Sequence, residues 1–216
     1  MSAALLAALG QSLPKGLALA GAAEKQGLWP GEAVPKATPA RLREFAAGRS
    51  AARAAMQALG HPPSAVPMQA DRSPSWPEAV TGSISHCDGA CLALLGWRRD
   101  WAGIGLDLEP ATPLEAALWP EILGQAEQSA VMALPKAERG LAALQIFMAK
   151  EAVYKAQYPI SGQLFGFDGL NIVLQKGGFV ARFTAGVSPF VAGQMMTGRF
   201  VMAQGLIAAH CLITRQ

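Results

Sequence analysis

Gly103-Ile104-Gly105-Leu106-Asp107-Leu108-Glu109 is the stretch on which the fold turns. Its apolar lead-in from Ala102 reads as a strand, and the two-residue period places Asp107 and Glu109 side by side on one face near the strand's end, just before Pro110. Downstream, Phe147-Met148-Ala149-Lys150-Glu151-Ala152-Val153-Tyr154-Lys155-Ala156 has helical spacing, with Glu151 and Lys155 one turn apart on the same face. Three converging carboxylates and an ammonium make a site for a metal and a phosphate. Mg²⁺ suits such a set, because it takes one or two carboxylates, several waters and substrate phosphate oxygens. Taken alone, Asp-x-Glu reads first as the polar end of a strand entering a turn at Pro110, and the company of Glu151 and Lys155 is what shifts the balance.

Glu151 continues the apolar stripe Leu141, Leu144, Phe147 and Met148, the face this helix turns inward. A carboxylate there is costly unless a cation compensates it. The competing reading is a surface pair with Lys155, worth roughly a few tenths of a kcal/mol. Upstream, Ser83-Ile84-Ser85-His86 closes another strand, and His86 there is either a phosphate donor or a hydrogen-bonded structural residue. Arg72, in a Pro-rich segment, is either a surface charge or a second phosphate clamp. Arg49 and Arg53, one helical turn apart, are either a fork for a phosphate monoester or two arginines snorkelling from a helix flank.

Working outward, Thr38-Pro39 and Gly60 bound a helix with the stripe Leu42, Phe45, Ala46, Ala52, Met56 and Leu59. The residues before it read as irregular. A Pro-rich connector spans 61–77, and strands are expected near 79–84, 90–97 and 102–109. Helices follow at about 114–134 and 136–157, the second ended by Tyr158-Pro159, and strands joined by glycine turns continue to Ile213. Within 113–134, Leu118, Trp119 and Ile122 are either a docking surface or core.

A weak internal repeat relates the halves. Phe45, Arg49 and Arg53 fall in the places of Phe147, Glu151 and Lys155, and Thr81-Gly82 with Gly89 is echoed at identical spacing by Thr197-Gly198 with Gly205. The fold class is therefore α+β, two similar halves about a pseudo-twofold axis, with the site expected between them.

At 216 residues, 51% hydrophobic and 15% charged, the chain has the composition of a folded globular protein. A net charge of +3 with no basic tail gives no case for nucleic acid as a partner. The N-terminal apolar run lacks a positive n-region, and the stretch from Val201 to Ile213 is too short and too interrupted to span a bilayer. Cys87, Cys91 and Cys211 suit reduced thiols. A cytoplasmic monomer without membrane partners is expected.

In order, Arg41-x-x-x-Phe45-x-x-Gly48-Arg49-x-x-Ala52-Arg53, then Trp76-Pro77-Glu78 leading to Gly82-Ser83-Ile84-Ser85-His86, then Gly105-Leu106-Asp107-Leu108-Glu109, then Phe147-x-x-Lys150-Glu151-x-x-x-Lys155-Ala156, resemble the 4′-phosphopantetheinyl transferases. The likeness is to the subgroup that includes enterobactin synthase component D, with Leu106 and Leu108 in place of the usual isoleucines. The resemblance implies transfer of the phosphopantetheine arm of coenzyme A to a serine of an apo acyl or peptidyl carrier protein, with release of adenosine 3′,5′-bisphosphate. It implies that Asp107, Glu109 and Glu151 hold Mg²⁺, or Mn²⁺ in its place, against the pyrophosphate, beside Lys155 and Lys150. It also implies that Arg49, Arg53, Arg72, Ser85 and His86 bind the nucleotide end, and that Glu151 and Lys155 are catalytic. Residues 1–105 would form the nucleotide-binding half and 106–216 the metal and pyrophosphate half.

Three other readings compete. A metal-dependent nuclease would place Lys directly after the second strand carboxylate, where Pro110 stands. A zinc site from His86, Cys87, Cys91, His210 and Cys211 lacks Cys-x-x-Cys knuckles. A non-catalytic module that only binds coenzyme A or a carrier would be expected to lack an acidic ligand, and all three are present.

Overall fold

The structure, a computed structural model, describes residues 3–23, 27–87 and 89–215. Ahead of Thr38, where the sequence reads as irregular, the chain forms helix α1 (Ala3–Ser12) and strand β1 (Leu17–Gly21). Neither carries a strong local signal. α1 has no charged residue in its first or last turn, and β1 is Leu-Ala-Leu-Ala-Gly without a β-branched residue, so pairing with a neighbouring strand defines it.

Helix α2 (Pro39–Leu59) has the ends its sequence predicts. Thr38 accepts the Arg41 amide, Pro39 opens the first turn, and Gly60 closes the helix in the left-handed region at φ 84°. The connector leads to β2 (Val80–Cys87), β3 (Ala90–Trp97) and β4 (Trp101–Pro110), the three strands expected there. β4 runs through position 105, so the division between residues 105 and 106 falls inside a strand.

The helix expected over 114–134 is broken. A 3-10 turn at Ala116–Leu118, α3 (Trp119–Ile122) and α4 (Gln125–Met132) replace it, since Pro120 and Gly124 interrupt the ladder. Its three singled-out residues part company. Leu118 is exposed, Ile122 is buried, and Trp119 packs on the core while donating Nε1 to the Leu114 carbonyl. α5 (Lys136–Ser161) runs past Tyr158-Pro159 instead of ending there. Pro159 sits in the final turn, where one lost amide bond is tolerable, and Gly162 ends the helix at φ 63°. The chain closes with β5 (Leu170–Gln175), β6 (Gly178–Phe183), β7 (Met195–Ala203) and β8 (Leu206–Thr214).

Two antiparallel sheets result, ordered β1-β3-β2 and β4-β8-β7-β6-β5. Each half lays its long helix on its first and last strands, α2 on β1 and β3, α5 on β4 and β8. The repeat is carried into the register. Gly82 pairs with Leu95 across the first hairpin as Gly198 pairs with Cys211 across the second, and the turn glycines Gly89 and Gly205 have φ of 73° and 76°. The fold is α+β, with β5 and β6 inserted where the first half has its Pro-rich connector.

The sheets meet where β2 lies along β4. Serine side chains replace a backbone ladder there, Ser83 Oγ donating to the Leu106 carbonyl and Ser85 Oγ accepting the Leu108 amide.

Candidate active site

Gly103 and Gly105 determine where the chemistry sits. They share a face of β4 with Asp107 and Glu109, and α5 lies directly on that face. A Cβ on Gly103 would stand 2.0 Å from the Ala156 carbonyl oxygen, and one on Gly105 1.8 Å from that of Ala152. Only glycine on the strand, opposite the small stripe Ala149, Ala152 and Ala156 on the helix, lets the backbones come so close. That approach brings Lys155 to Asp107, with Nζ donating to Oδ1 at 2.6 Å. Ser85 Oγ donates to the same oxygen at 3.1 Å, while Oδ2 is buried without a partner among the described residues.

Glu109 and Glu151 complete the cluster. Burial drives the Glu109 carboxyl up to about 7, with Asp107 and Glu151 adding repulsion and Lys155 opposing them. Burial and then Asp107 raise Glu151 in the same direction, against Lys155, whose ammonium lies 3.9 Å from it. One ammonium is shared among three carboxylates. Among the described residues no three His, Cys, Asp or Glu side chains are already drawn together as a metal cage. Mg²⁺ does not need one, since waters and substrate oxygens fill most of its sphere. The orphaned Oδ2 of Asp107 and the mutual repulsion at Glu109 fit a further cation.

Beside the cluster opens a cleft of about 560 Å³ that Lys155 and Tyr154 line together with α2, the connector and β2. Its basic wall is Arg41, Arg49, Arg72, His86 and Arg98. Arg41 Nη1 donates to His86 Nε2 at 3.0 Å, which requires a neutral ring with its proton on Nδ1. Burial lowers the His86 pKa, helped by Arg41 and Lys155 and opposed by Glu44 and Asp107. Arg49 packs over the Phe45 ring and donates Nε to the Val66 carbonyl at 2.7 Å; burial brings its guanidinium down to about 10. Arg72 is exposed, at φ 70°. Tyr158 donates to Asp71 at 2.6 Å, tying the connector to the end of α5 across the cleft. On the other side, Lys150, Glu151 and Tyr154 line a hollow of about 130 Å³ with Phe165, Phe167 and Leu170.

Three expected ligand residues are engaged elsewhere. Arg53 is buried in a bifurcated pair with Glu32, both contacts 2.6 Å, donates to the Gly27 carbonyl and does not line the cleft. Lys150 is 2% exposed, and its three protons go to Glu127 at 2.7 Å and to the carbonyls of Ile122 and Phe167. Ser85 is buried and holds Asp107 and the Leu108 amide. In their place the cleft presents Arg41 and Tyr154, to which the sequence reading gave no role. Arg41 was legible, because it stands two turns before Arg49 on the same helix face. Cys91 and Cys211 are free thiols, and burial raises both to about 12.

Two family models match the chain, the 4′-phosphopantetheinyl transferase N-terminal domain over residues 17–96 and the 4′-phosphopantetheinyl transferase superfamily over residues 103–194. The 4′-phosphopantetheinyl transferase Svp of Streptomyces mobaraensis is 35% identical, the match covering 83% of this chain and 76% of that one. PptT of Mycobacterium tuberculosis is 31% identical over 81% of this chain and 80% of its own length. Enterobactin synthase component D of Escherichia coli K12 is 37% identical over 54% of each chain. Among solved structures, the holo-[acyl-carrier-protein] synthase of Thermotoga maritima matches with a TM-score of 0.40 at 17% identity, over 54% of this chain and 65% of that one.

Proposed function

Because the chain belongs to the 4′-phosphopantetheinyl transferase superfamily, we propose that it moves the phosphopantetheine arm of coenzyme A onto a serine of an apo carrier protein with Mg²⁺ as its metal. The observation that carries the reading is the position of the Asp107, Glu109, Glu151 and Lys155 cluster between a basic cleft and a small aromatic hollow, with Tyr154 lining both. The nucleotide end, chiefly its 3′-phosphate, lies in the basic cleft against Arg41, Arg49, Arg72 and His86. The pyrophosphate sits at Lys155, and the arm extends toward Phe165 and Phe167.

Asp107, Glu109 and Glu151 are the residues that hold Mg²⁺, or Mn²⁺ in its place. The bound cation would offset the charge of the pyrophosphate and of the carboxylates together. The serine oxygen of the carrier forms a new bond to the phosphorus that bears the arm. The bond from that phosphorus to the bridging oxygen breaks, and adenosine 3′,5′-bisphosphate leaves with the electron pair. The serine proton passes to a carboxylate of the cluster, with Glu151 the candidate, directly or through water. Its raised pKa makes it a better acceptor than an ordinary surface carboxylate, although metal coordination would pull the other way. Positioning and charge supply most of the acceleration in such a transfer. In this proposal the working form is a cytoplasmic monomer, and neither nucleic acid nor membrane is a partner.

Intact mass measurement of an apo carrier protein incubated with the chain, coenzyme A and Mg²⁺ tests the proposal. A gain of one phosphopantetheine supports it. Binding of coenzyme A with no mass gain on several unrelated carriers would leave a non-catalytic binding module instead.

A further inference from the structure

We propose a second ligand site, outside the cleft, on the face of the larger sheet turned away from α5, which takes a phosphate group, free or carried by a small molecule. A hollow of about 350 Å³ lies there, between the end of α1, the turn joining β5 to β6, and strands β7 and β8. It shares no lining residue with the cleft. Its size is at the lower end of small-molecule sites, which run from about 300 to 1,000 Å³.

His210 forms its wall from β8. The residue is 4% exposed, and neither ring nitrogen has a hydrogen-bond partner among the described residues. Both ring nitrogens are closed off from solvent, so the imidazole lies beneath the wall and senses what occupies the hollow beside it. Arg199 stands opposite His210 in the β7–β8 ladder, and Lys176 lies in the β5–β6 turn. Among the described residues no acidic side chain lines the hollow, and neither cation forms an ion pair.

The chemistry selects the ligand class. Two unmatched cations repel a metal ion, and an apolar guest would leave them without a counter-charge. A phosphate offers several acceptor oxygens to the guanidinium, the ammonium and the Thr197 hydroxyl, all from residues on the wall. Charge-assisted bonds of this kind are the strong ones.

The chain has three histidines, His61, His86 and His210, so their ring signals can be followed individually by magnetic resonance. Titration with inorganic phosphate, then with adenosine 5′-diphosphate, against chloride at equal ionic strength, reads both regions at once, because His86 lines the cleft. The site predicts a saturable shift of His210 that chloride does not produce. Arg199→Ala and Lys176→Ala would each weaken it about tenfold or more, while His86 keeps its own response. A tighter response to the nucleotide would name a phosphorylated small molecule as the occupant, and an equal one the free ion. A His210 signal that ignores both anions, follows chloride equally, or responds unchanged in both variants would overturn the proposal.

Discussion

Lys155 Nζ donates to Asp107 Oδ1 at 2.6 Å, joining α5 to β4 at the edge of a cleft that Lys155 lines and Asp107 does not. The ammonium thus touches the carboxylate cluster and the cleft at once. Lys155→Met is expected to lower kcat/KM by about 10²–10³, the usual cost of losing one positioned charge donor, with most of the loss in kcat. Steady-state kinetics over coenzyme A concentration checks it; a variant within about threefold of wild type would remove Lys155 from the reaction.

Lys150 and Lys155 are both near the acidic cluster in sequence, yet their effects should separate. Lys150 and Glu127 are 2% and 1% exposed at the side chain, and Glu127 also accepts the amides of Gly124 and Ile172. Lys150→Met strands a buried carboxylate and should lower stability by about 3–5 kcal/mol. Denaturant melts should detect this, while the KM of the folded fraction for coenzyme A should hardly change. A raised KM at unchanged stability would return Lys150 to the pyrophosphate.

Arg41 and Arg53 make a second such pair. Arg41→Ala should weaken coenzyme A by about tenfold, the loss of a charged hydrogen bond, and weaken 3′-dephospho-coenzyme A less. Arg53→Ala should act on stability, since it leaves Glu32, itself 4% exposed, without its cation. Calorimetric titration of each variant with both nucleotides distinguishes the two roles.

His210 links stability to pH. Burial, and then Arg199, lower its pKa from 6.5 to about 4 in the folded chain; Lys176, the other charge on that wall, is also cationic. Above pH 6.5 the ring is neutral folded or unfolded and contributes no slope. Between about 6.5 and 4 the unfolded chain binds a proton that the folded chain refuses, so stability is lost as the pH drops from 6.5 to 4, by about 3 kcal/mol for the full shift. In phosphate-free buffer, His210→Gln should flatten that part of the stability profile. An unchanged slope would mean that the ring titrates normally in the fold.

Much of the site was legible because its spacing is local. The strand period fixed the shared face of Asp107 and Glu109, and the helix period that of Glu151 and Lys155. The repeat was legible in Gly82 and Gly198, which occupy matching ladder positions. What eluded the sequence depends on long-range partners. Nothing near Lys150 indicates that Glu127 and two carbonyls will saturate it, and nothing near Arg53 points to Glu32. β1 was missed for the same reason, being a strand through its pairing with β3 rather than through its own residues.

The most direct test of the central claim is calorimetric titration of coenzyme A with and without Mg²⁺, in the wild type and in Asp107→Ala, Glu109→Ala and Glu151→Ala. The account predicts that Mg²⁺ tightens binding to the wild type, and that each variant loses this gain while still binding the nucleotide without metal through the basic cleft. A gain from Mg²⁺ that survives in all three variants would contradict the assignment of these carboxylates as the cation site.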